Sequence, residues 1–403
     1  MSSSLISSRA DFVELCRQIR DQGLVAFDTE FVSESTYRPA LGFLQFATRE
    51  RTVAVDPLAV DNLTEWWEIM SDDQTTVIVH GGQAEIRFCL HFFGCPPRKL
   101  FDIQIAEGLR GRSYPLSYSA IVRRVLNQSV DGSQTRTDWM RRPLSPEQIR
   151  YALEDVEHLI DVRDAQSEWL GQRNRLAWAD AEFGRIVSEL EAEIKMAPWE
   201  KLSGAHKLSR RELAVLQHLA QWREDQAAEQ NRPVRRILRD DLLIDLAKRK
   251  PESTQQALAT RDLNRREYRR HMDDVVRVVQ EAMKIPDSNL PQRPQSRRDE
   301  ASSEEQVIAR LLALALSNRC AELDVAYTLV ATNRHLLELV RFHRLGQRQT
   351  DRPRILVGWR GELFGDLLRN VMDGKVAFRV APKGARAPLV FESGESGERT
   401  IGC

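Results

Sequence analysis

The chain of 403 residues has few cysteines and no long apolar run. Its five cysteines are scattered, odd in number and without a C-x-x-C pair, which argues against a disulfide framework and against a zinc site. No stretch approaches the ~20 consecutive apolar residues of a membrane span, so we expect no membrane association. The opening MSSSLISSRADF also lacks the apolar segment of a secretory signal. We therefore expect a cytoplasmic protein in a reducing environment.

The chain also lacks net charge and a phosphate-binding glycine loop. It holds 59 basic and 59 acidic residues, and no G-x-x-x-x-G-K-[ST] motif, so ATP is not a predicted partner. The charges are nevertheless uneven: residues 1–100 hold 9 basic and 14 acidic residues, 201–250 hold 12 and 7, and 341–390 hold 11 and 4. An acidic metal site followed by segments that bind a polyanion would give this distribution, and so would ordinary surface variation.

Two carboxylates interrupt an otherwise apolar strand pattern in LVAFDTEF (24–31). Side chains alternate faces along a strand, so Asp28 and Glu30 point to the same side. Like charges that close repel each other, and burying either is costly without a partner. The pair indicates either a strand end that reaches solvent or a pair of oxygen ligands for a hard divalent cation. The pair alone does not distinguish these alternatives.

The first ~170 residues mix strand and helix patterns. The segments 41–48 and 51–58 predict a hairpin, because two apolar runs are joined by a short charged turn. TTVIVHGG (75–82) predicts a strand, and the following QAEIRFCLHFFG predicts an amphipathic helix that Gly94 ends. Another helix begins at Ser145, since Pro146 suits the first helical position and S-x-x-Q is a capping box.

The rest of the chain is mainly helical in pattern, with few strand signals until 354–358 and 376–380. Segment 286–304, PDSNLPQRPQSRRDEASSE, is rich in proline, serine and charge and reads as a linker. The predicted division is an exonuclease-type α/β unit at 1–170, a helical connector at 171–203, a helical domain at 204–286, a linker at 287–304 and a C-terminal helical domain at 305–403.

Three more residues complete a candidate constellation. Glu85 lies in the first turn of the helix after TTVIVHGG, and helices of α/β sheets begin at the edge where ligands bind. Tyr151 and Asp155 are spaced i, i+4 and so share one helix face. Each also has an ordinary explanation; Glu85, for example, fits the preference for acids in a first helical turn.

Taken together, these stretches resemble a known family. DTEFVSESTYRPALGFLQFA, VHGGQAEIRFCLHFFG, LFDIQIAEGL and SQTRTDWMRRPLSPEQIRYALEDVEHL look like the ribonuclease D family, within the DEDD 3′-to-5′ exonucleases whose third motif carries a tyrosine. The resemblance implies an α/β ribonuclease H-like exonuclease domain, a mixed sheet flanked by helices. It also implies all-α HRDC-type helical domains after it, since PWEKLSGAHKL and RRELAVLQHLAQWRE are similar to HRDC sequences.

The resemblance implies a site as well. It assigns Asp28, Glu30 and Asp155 as ligands of two Mg²⁺ or Mn²⁺ ions, and Tyr151 as the residue that orients or deprotonates the attacking water. The fourth acid, normally Asp in the family, is Glu85 here. The predicted catalytic set is therefore these five residues, and its four acids are the predicted metal ligands.

The basic RPVRRILRDDLL stretch offers a candidate nucleic-acid contact through Arg235, Arg236 and Arg239; the alternative is a solvated helix face. Trp199 and Trp222 fit a helical core better than a stacking platform.

The implied function is hydrolysis from single-stranded 3′ ends of RNA, tRNA-precursor-like or otherwise structured, with DNA left open. The competing hypothesis is a degenerate exonuclease fold that binds nucleic acid or acts as a scaffold, for which the only support is Glu85.

Overall fold

The computed structural model describes residues 4–130, 137–260, 262–293, 301–344 and 352–393. Part of the TRTDW motif (135–136), much of the predicted linker (294–300) and the last ten residues (394–403) lie outside these ranges. No helix within them is long and apolar enough to cross a membrane.

The first unit alternates strands and helices. Its elements are β1 (Ser4–Ile6), α1 (Arg9–Gln22), β2 (Leu24–Val32), β3 (Ala40–Ala47), β4 (Thr52–Val55), α2 (Thr64–Ser71), β5 (Thr76–Val79), α3 (Gln83–Phe92), β6 (Leu100–Asp102), α4 (Ile103–Arg110), α5 (Tyr118–Leu126), α6 (Pro146–Glu157), α7 (Leu159–Gly171) and α8 (Leu176–Lys195). The predicted hairpin is confirmed as β3 and β4, and the predicted strand and helix around HGG are β5 and α3.

The six strands form one mixed sheet in the order β1-β4-β3-β2-β5-β6. β2 lies inside it, antiparallel to β3 and parallel to β5, while β1 runs parallel to β4 and β5 parallel to β6. One face of the sheet packs against α1 and α2, with Phe27, Phe46 and Trp66 at the centre of that core. The other face is covered by later helices, so both faces of β2 are enclosed.

A second helical unit follows. It consists of α9 (Arg210–Glu229), α10 (Val234–Ile237), α11 (Asp240–Arg249), α12 (Thr254–Leu258), α13 (Arg266–Arg269) and α14 (Met272–Met283). Its buried leucines, valines and alanines form a core of their own, in which Trp222 is buried and against which Trp199 packs. The prediction of a core position is therefore confirmed for Trp222, whereas Trp199 is half-buried beside that core.

The C-terminal elements pack back onto the first unit. They are α15 (Ser303–Leu323), α16 (Tyr327–Val330), α17 (Asn333–Arg344), α18 (Gly358–Met372), β7 (Val376–Val380) and β8 (Leu389–Ser393). Leu316 and Phe364 belong to the same buried cluster as Ile78 and Phe101 of the sheet.

One correction concerns the all-α description of residues 305–403. β7 and β8 form an antiparallel pair, in which Phe378 lies opposite Phe391 and their rings meet edge to face at 5.4 Å. The valines and phenylalanine of β7 favour a strand, because β-branched and aromatic side chains pack well on a pleated surface.

Candidate active site

β2 carries two carboxylates past the end of its parallel neighbour. β2 pairs with β5 only over Leu24–Ala26, whereas its pairing with β3 continues through Asp28 and Glu30. The two acids are alternate residues, so their side chains leave the same face of the sheet. β5 is no longer paired with β2 at this point, so the two half-buried acids have a strand neighbour only on the β3 side.

Helix α6 brings the third carboxylate. Its start is fixed by the predicted capping box, in which the Ser145 side chain accepts from the Gln148 backbone and the Gln148 side chain accepts from the Ser145 backbone. Asp155 lies about two and a half turns further along. One carboxylate oxygen from each of Asp28, Glu30 and Asp155 lies within 4.8 Å of the others. The structure thus brings together three of the four predicted metal ligands.

Burial and neighbouring charges raise the pKa of all three carboxylates. Burial and the nearby charges of Glu85, Asp155 and Glu30 raise the pKa of Asp28 well above its usual range. Burial and the charge of Asp155 raise the pKa of Glu30 to about 7, and burial raises the pKa of Asp155 to about 6.

No lysine or arginine of the described ranges forms a salt bridge with any of these three acids. A compact group of hard oxygen atoms without a cationic partner fits a divalent cation, which would relieve the repulsion.

Glu85, the fourth predicted ligand, lies to one side of this group. It sits in the first turn of α3, is buried, and accepts a hydrogen bond of 2.6 Å from the Thr29 hydroxyl. Thr29 follows Asp28 and therefore faces the other side of β2. Burial, opposed by that hydrogen bond, raises the pKa of Glu85 to about 7. Glu85 remains close enough for its charge to raise the pKa of Asp28, although it lies outside the group of three.

The loop before α3 is held by Asp102 at the end of β6. Its carboxylate accepts from the backbone N–H groups of Gly81 (3.0 Å) and Gly82 (3.2 Å) and also caps α4 through Gln104. Gly81 has a φ of 64°, which favours glycine, and a Cβ at Gly82 would lie 2.4 Å from Val79. The two glycines thus permit the tight turn that places Glu85 next to β2.

Tyr151 lies one turn before Asp155 on α6. It is half-buried beside a small cluster that includes Phe43 and Trp139, whose rings stack at 5.9 Å. Burial and the surrounding carboxylates raise the pKa of Tyr151 to about 12. At neutral pH the phenol therefore keeps its proton, which favours orienting a water over deprotonating it.

Sequence analysis missed Gln45 of β3. It is the residue directly opposite Asp28 across the β2–β3 pair, and it is fully buried. The available signal was a single polar residue in the middle of the apolar strand LGFLQFA.

Comparisons with known proteins decide the family. The 3′-5′ exonuclease family model matches residues 4–168, and the HRDC domain model matches residues 212–279. Ribonuclease D of Bartonella henselae is 31% identical over 378 residues, which cover 93% of this chain and 91% of the relative. The chain belongs to the ribonuclease D family.

Other members agree along the whole length. Ribonuclease D of Escherichia coli is 28% identical over 92% of this chain and 99% of the relative. The crystal structure of Escherichia coli RNase D, described as an exoribonuclease involved in structured RNA processing, covers 93% of this chain and 99% of its own, with a TM-score of 0.79 and 27% identity. The ribonuclease D fold and a 3′-5′ exoribonuclease activity are therefore assigned to this chain.

The arginines predicted to bind nucleic acid are largely paired with acids. Arg235 forms a salt bridge with Asp240, and Arg239 forms salt bridges with Asp241 and Asp262. Arg236 is exposed, and no salt bridge to it is found among the described residues. The cluster's positive charge is thus partly neutralised.

A more strongly basic cavity lies elsewhere in the HRDC unit. The arginine pocket, as we call it, has a volume of about 760 Å³ and is lined by Arg232, Arg265, Arg266, Arg270 and Glu267. Arg265 pairs with Asp262, but the other three arginines form no salt bridge within the described ranges, so the pocket is the more suitable surface for a polyanion.

The arginine pocket adjoins the segment that follows β2. The Tyr37 hydroxyl donates to Glu224 at 2.9 Å, and the Tyr37 backbone N–H donates to Asn231 at 3.2 Å. Asn231 immediately precedes Arg232 of the pocket. These contacts connect the HRDC unit to the strand that carries Asp28 and Glu30.

Proposed function

We propose that the chain removes nucleotides from the 3′ end of RNA with two divalent cations, Mg²⁺ or Mn²⁺, held by Asp28, Glu30, Asp155 and Glu85. The observation that carries the proposal is the group of three carboxylates within 4.8 Å of one another, to which the described residues supply no cationic partner. Bound cations would stabilise charge on the attacking and leaving oxygens and lower the pKa of the attacking water.

The protein's own residues orient the reactants. Tyr151 keeps its proton at neutral pH, so its hydroxyl can both donate to and accept from a water molecule beside Asp155. The neighbouring Trp139 and Leu153 are buried and restrict the position of the ring. Tyr151 therefore acts as a positioning group for the nucleophile rather than as the base that removes its proton.

The proposed substrate is structured RNA with a single-stranded 3′ end, such as a tRNA precursor. The Escherichia coli relative, described as acting in structured RNA processing, supports this choice. We assign the upstream phosphates to the arginine pocket, because three of its four arginines form no salt bridge within the described ranges. The ion-paired Arg235 and Arg239 are less suited, since a phosphate would have to displace Asp240, Asp241 or Asp262.

The activity is tested with 3′-extended RNA labelled at its 5′ end. With Mg²⁺ or Mn²⁺ we expect stepwise shortening from the 3′ end, and EDTA should abolish it. A DNA strand of the same sequence, assayed in parallel, measures the preference for RNA. Binding without shortening in either metal would instead support the non-catalytic scaffold, which the position of Glu85 beside Thr29 favours.

The role of the arginine pocket is tested with two double variants that lose the same net charge. Replacing Arg232 and Arg266 with Gln should weaken binding of single-stranded RNA and reduce the slope of log affinity against log salt by about 0.7 per lost phosphate contact. The control replaces Arg235 and Arg239 with Gln, which removes the same charge from paired side chains. Equal losses in both variants would assign the effect to overall charge rather than to the pocket.

A further inference from the structure

Gln45 occupies a position beside the carboxylate group that no motif assigns. In the middle strand of β4-β3-β2, Gln45 lies between Ala54 on one side and Asp28 on the other. Directly opposed residues in an antiparallel pair point to the same face, with their Cβ atoms about 4.5–5.5 Å apart. The side chain of Gln45 therefore lies on the face from which Asp28 joins the three-carboxylate group.

The amide of Gln45 forms no hydrogen bond on that face within the described residues. Gln45 is fully buried, and neither its amide nitrogen nor its amide oxygen has a hydrogen-bond partner among the described residues. Its same-face neighbours Phe43, Ala47 and Ala54 are apolar. By contrast, the buried amide nitrogen of Gln166 donates to Ile103 at 3.0 Å.

A buried polar group without partners destabilises a fold, so its place in a core strand calls for a physical reason. Asp28 supplies one. When a carboxylate binds a cation through one oxygen, its other oxygen still accepts a hydrogen bond, and such contacts orient the ligand. An amide donates that bond without bringing a positive charge, whereas lysine or arginine would compete with the cation for Asp28.

We propose that Gln45 is a positioning residue, whose amide N–H₂ donates to the carboxylate of Asp28 when that carboxylate binds a divalent cation. This inference rests on the proposed function, because it presumes that Asp28 is a ligand. It adds a residue of β3 to a site otherwise built from β2, α3 and α6. Gln45 acts through Asp28 and does not touch substrate.

The test separates metal binding from folding. Gln45→Met is close in size but has no hydrogen-bonding group, so it should bind Mn²⁺ about tenfold more weakly. Its melting temperature without metal should equal or exceed that of the wild type, because the unpaired amide is gone. Mn²⁺ binding is measured on the RNA-free protein by the loss of the free-ion electron paramagnetic resonance signal. Exonuclease rates should recover as the Mn²⁺ concentration is raised.

Two further variants make the result decisive. Gln45→Asn keeps an amide on a shorter side chain and should bind Mn²⁺ more tightly than Gln45→Met. Thr260→Val removes a buried hydroxyl in the HRDC unit that also has no hydrogen-bond partner among the described residues, and it should leave Mn²⁺ affinity unchanged.

Wild-type Mn²⁺ affinity in Gln45→Met would overturn the positioning role, and so would a loss of affinity that Gln45→Asn does not recover. A melting temperature lowered in both Gln45 variants, with unchanged Mn²⁺ affinity, would show a structural role only. Failure of the wild type to bind Mn²⁺ or shorten RNA would instead overturn the proposed function itself.

Discussion

The buried Glu182 and the half-buried group of Asp28, Glu30 and Asp155 differ in what surrounds their carboxylates. Glu182 of α8 accepts hydrogen bonds from Arg360 (2.8 Å), Trp359 (3.0 Å) and Arg185 (2.9 Å). Burial would raise the pKa of Glu182, but Arg360 and Arg185 outweigh it and lower that pKa to about 2. At the end of β2, burial acts without such cations, and the pKa of Glu30 rises to about 7.

The two environments indicate a structural role for Glu182 and a chemical role for the three carboxylates. The ion pair of Glu182 joins α8 to α18, so its charge is already neutralised by the fold. The carboxylates of Asp28, Glu30 and Asp155 repel one another, and their charge can be neutralised by a ligand. An ionisable cluster whose pKa values are shifted toward the neutral form is a marker of a functional site.

The largest expected effect concerns the three carboxylates that form no salt bridge within the described ranges. Asp28→Asn or Asp155→Asn should reduce the exonuclease rate by about a thousandfold or more, because several kcal/mol of charge stabilisation depend on the cations and each ~1.4 kcal/mol is tenfold. The melting temperature without metal should not fall, since a repelling charge has been removed. Rates and melting curves measure both; a near-wild-type rate in either variant would remove that residue from the site.

Substitution of the ion-paired Glu182 should instead lower stability and leave activity unchanged. Glu182→Gln leaves the buried Arg360 without its counter-ion and should lower the free energy of unfolding by about 3–5 kcal/mol. The activity per folded molecule should stay near that of the wild type. Denaturant unfolding measures the loss, and Glu189→Gln, at an exposed acid of the same helix, is the control. Unchanged stability would show that the ion pair does not stabilise the packing of α8 against α18.

The three carboxylates and Glu182 should also make stability depend on pH with opposite sign. Between their usual pKa values and about 6–7, Glu30 and Asp155 hold more protons in the folded than in the unfolded chain. Stability of the metal-free protein should therefore fall as pH rises from about 5 to about 8. The contribution of Glu182 is present above pH 4.5 and is lost as pH falls toward 2.

Melting temperatures in EDTA measure this dependence, and we expect a decrease of a few degrees over that range. Mg²⁺ or Mn²⁺ should largely remove it, because a cation replaces the protons. Glu30→Gln should flatten the dependence without metal. A metal-free melting temperature that rises with pH in this range would contradict the raised pKa values.

The elements that carry local signals were predictable from the sequence. The Ser145 capping box, the β3–β4 hairpin and the spacing of Tyr151 and Asp155 depend on neighbouring residues, and the structure contains all three. The family resemblance supplied the order of the elements around them. Local patterning and that resemblance together anticipated the sheet and the proximity of Asp28, Glu30 and Asp155.

Features that depend on contacts between distant segments were not predictable. The arginine pocket combines Arg232 with a segment more than thirty residues later, and the salt bridges of Arg235 and Arg239 depend on which acids the fold brings near. Gln45 acquires its neighbour only through strand register. Of the two late strand signals in the sequence, 376–380 is strand β7, whereas 354–358 contains a short 3₁₀ helix at Arg354–Leu356. The partner strand β8 had no separate signal and is defined by its pairing with β7.

The smallest expected effect is a shift in Mg²⁺ requirement that depends on the side-chain length and the hydrogen bond of Glu85. Glu85 is buried and has no cationic partner among the described residues, yet the Thr29 hydroxyl holds it beside the group of three. Its extra methylene adds a torsion that must be ordered before the carboxylate can bind Mg²⁺, whose octahedral geometry is strict. The wild type should therefore need more Mg²⁺ than Mn²⁺.

Glu85→Asp should lower the Mg²⁺ concentration for half-maximal rate by a few-fold, because the shorter side chain has one torsion fewer to order. Thr29→Val, which removes the hydroxyl that holds Glu85, should shift that concentration in the same direction, whereas Glu85→Gln should be nearly inactive. Rates against Mg²⁺ and Mn²⁺ concentration for the four proteins measure these shifts. If Glu85→Gln matched the wild type, Glu85 would be an ordinary first-turn acid, and the second cation would depend on other groups or be absent.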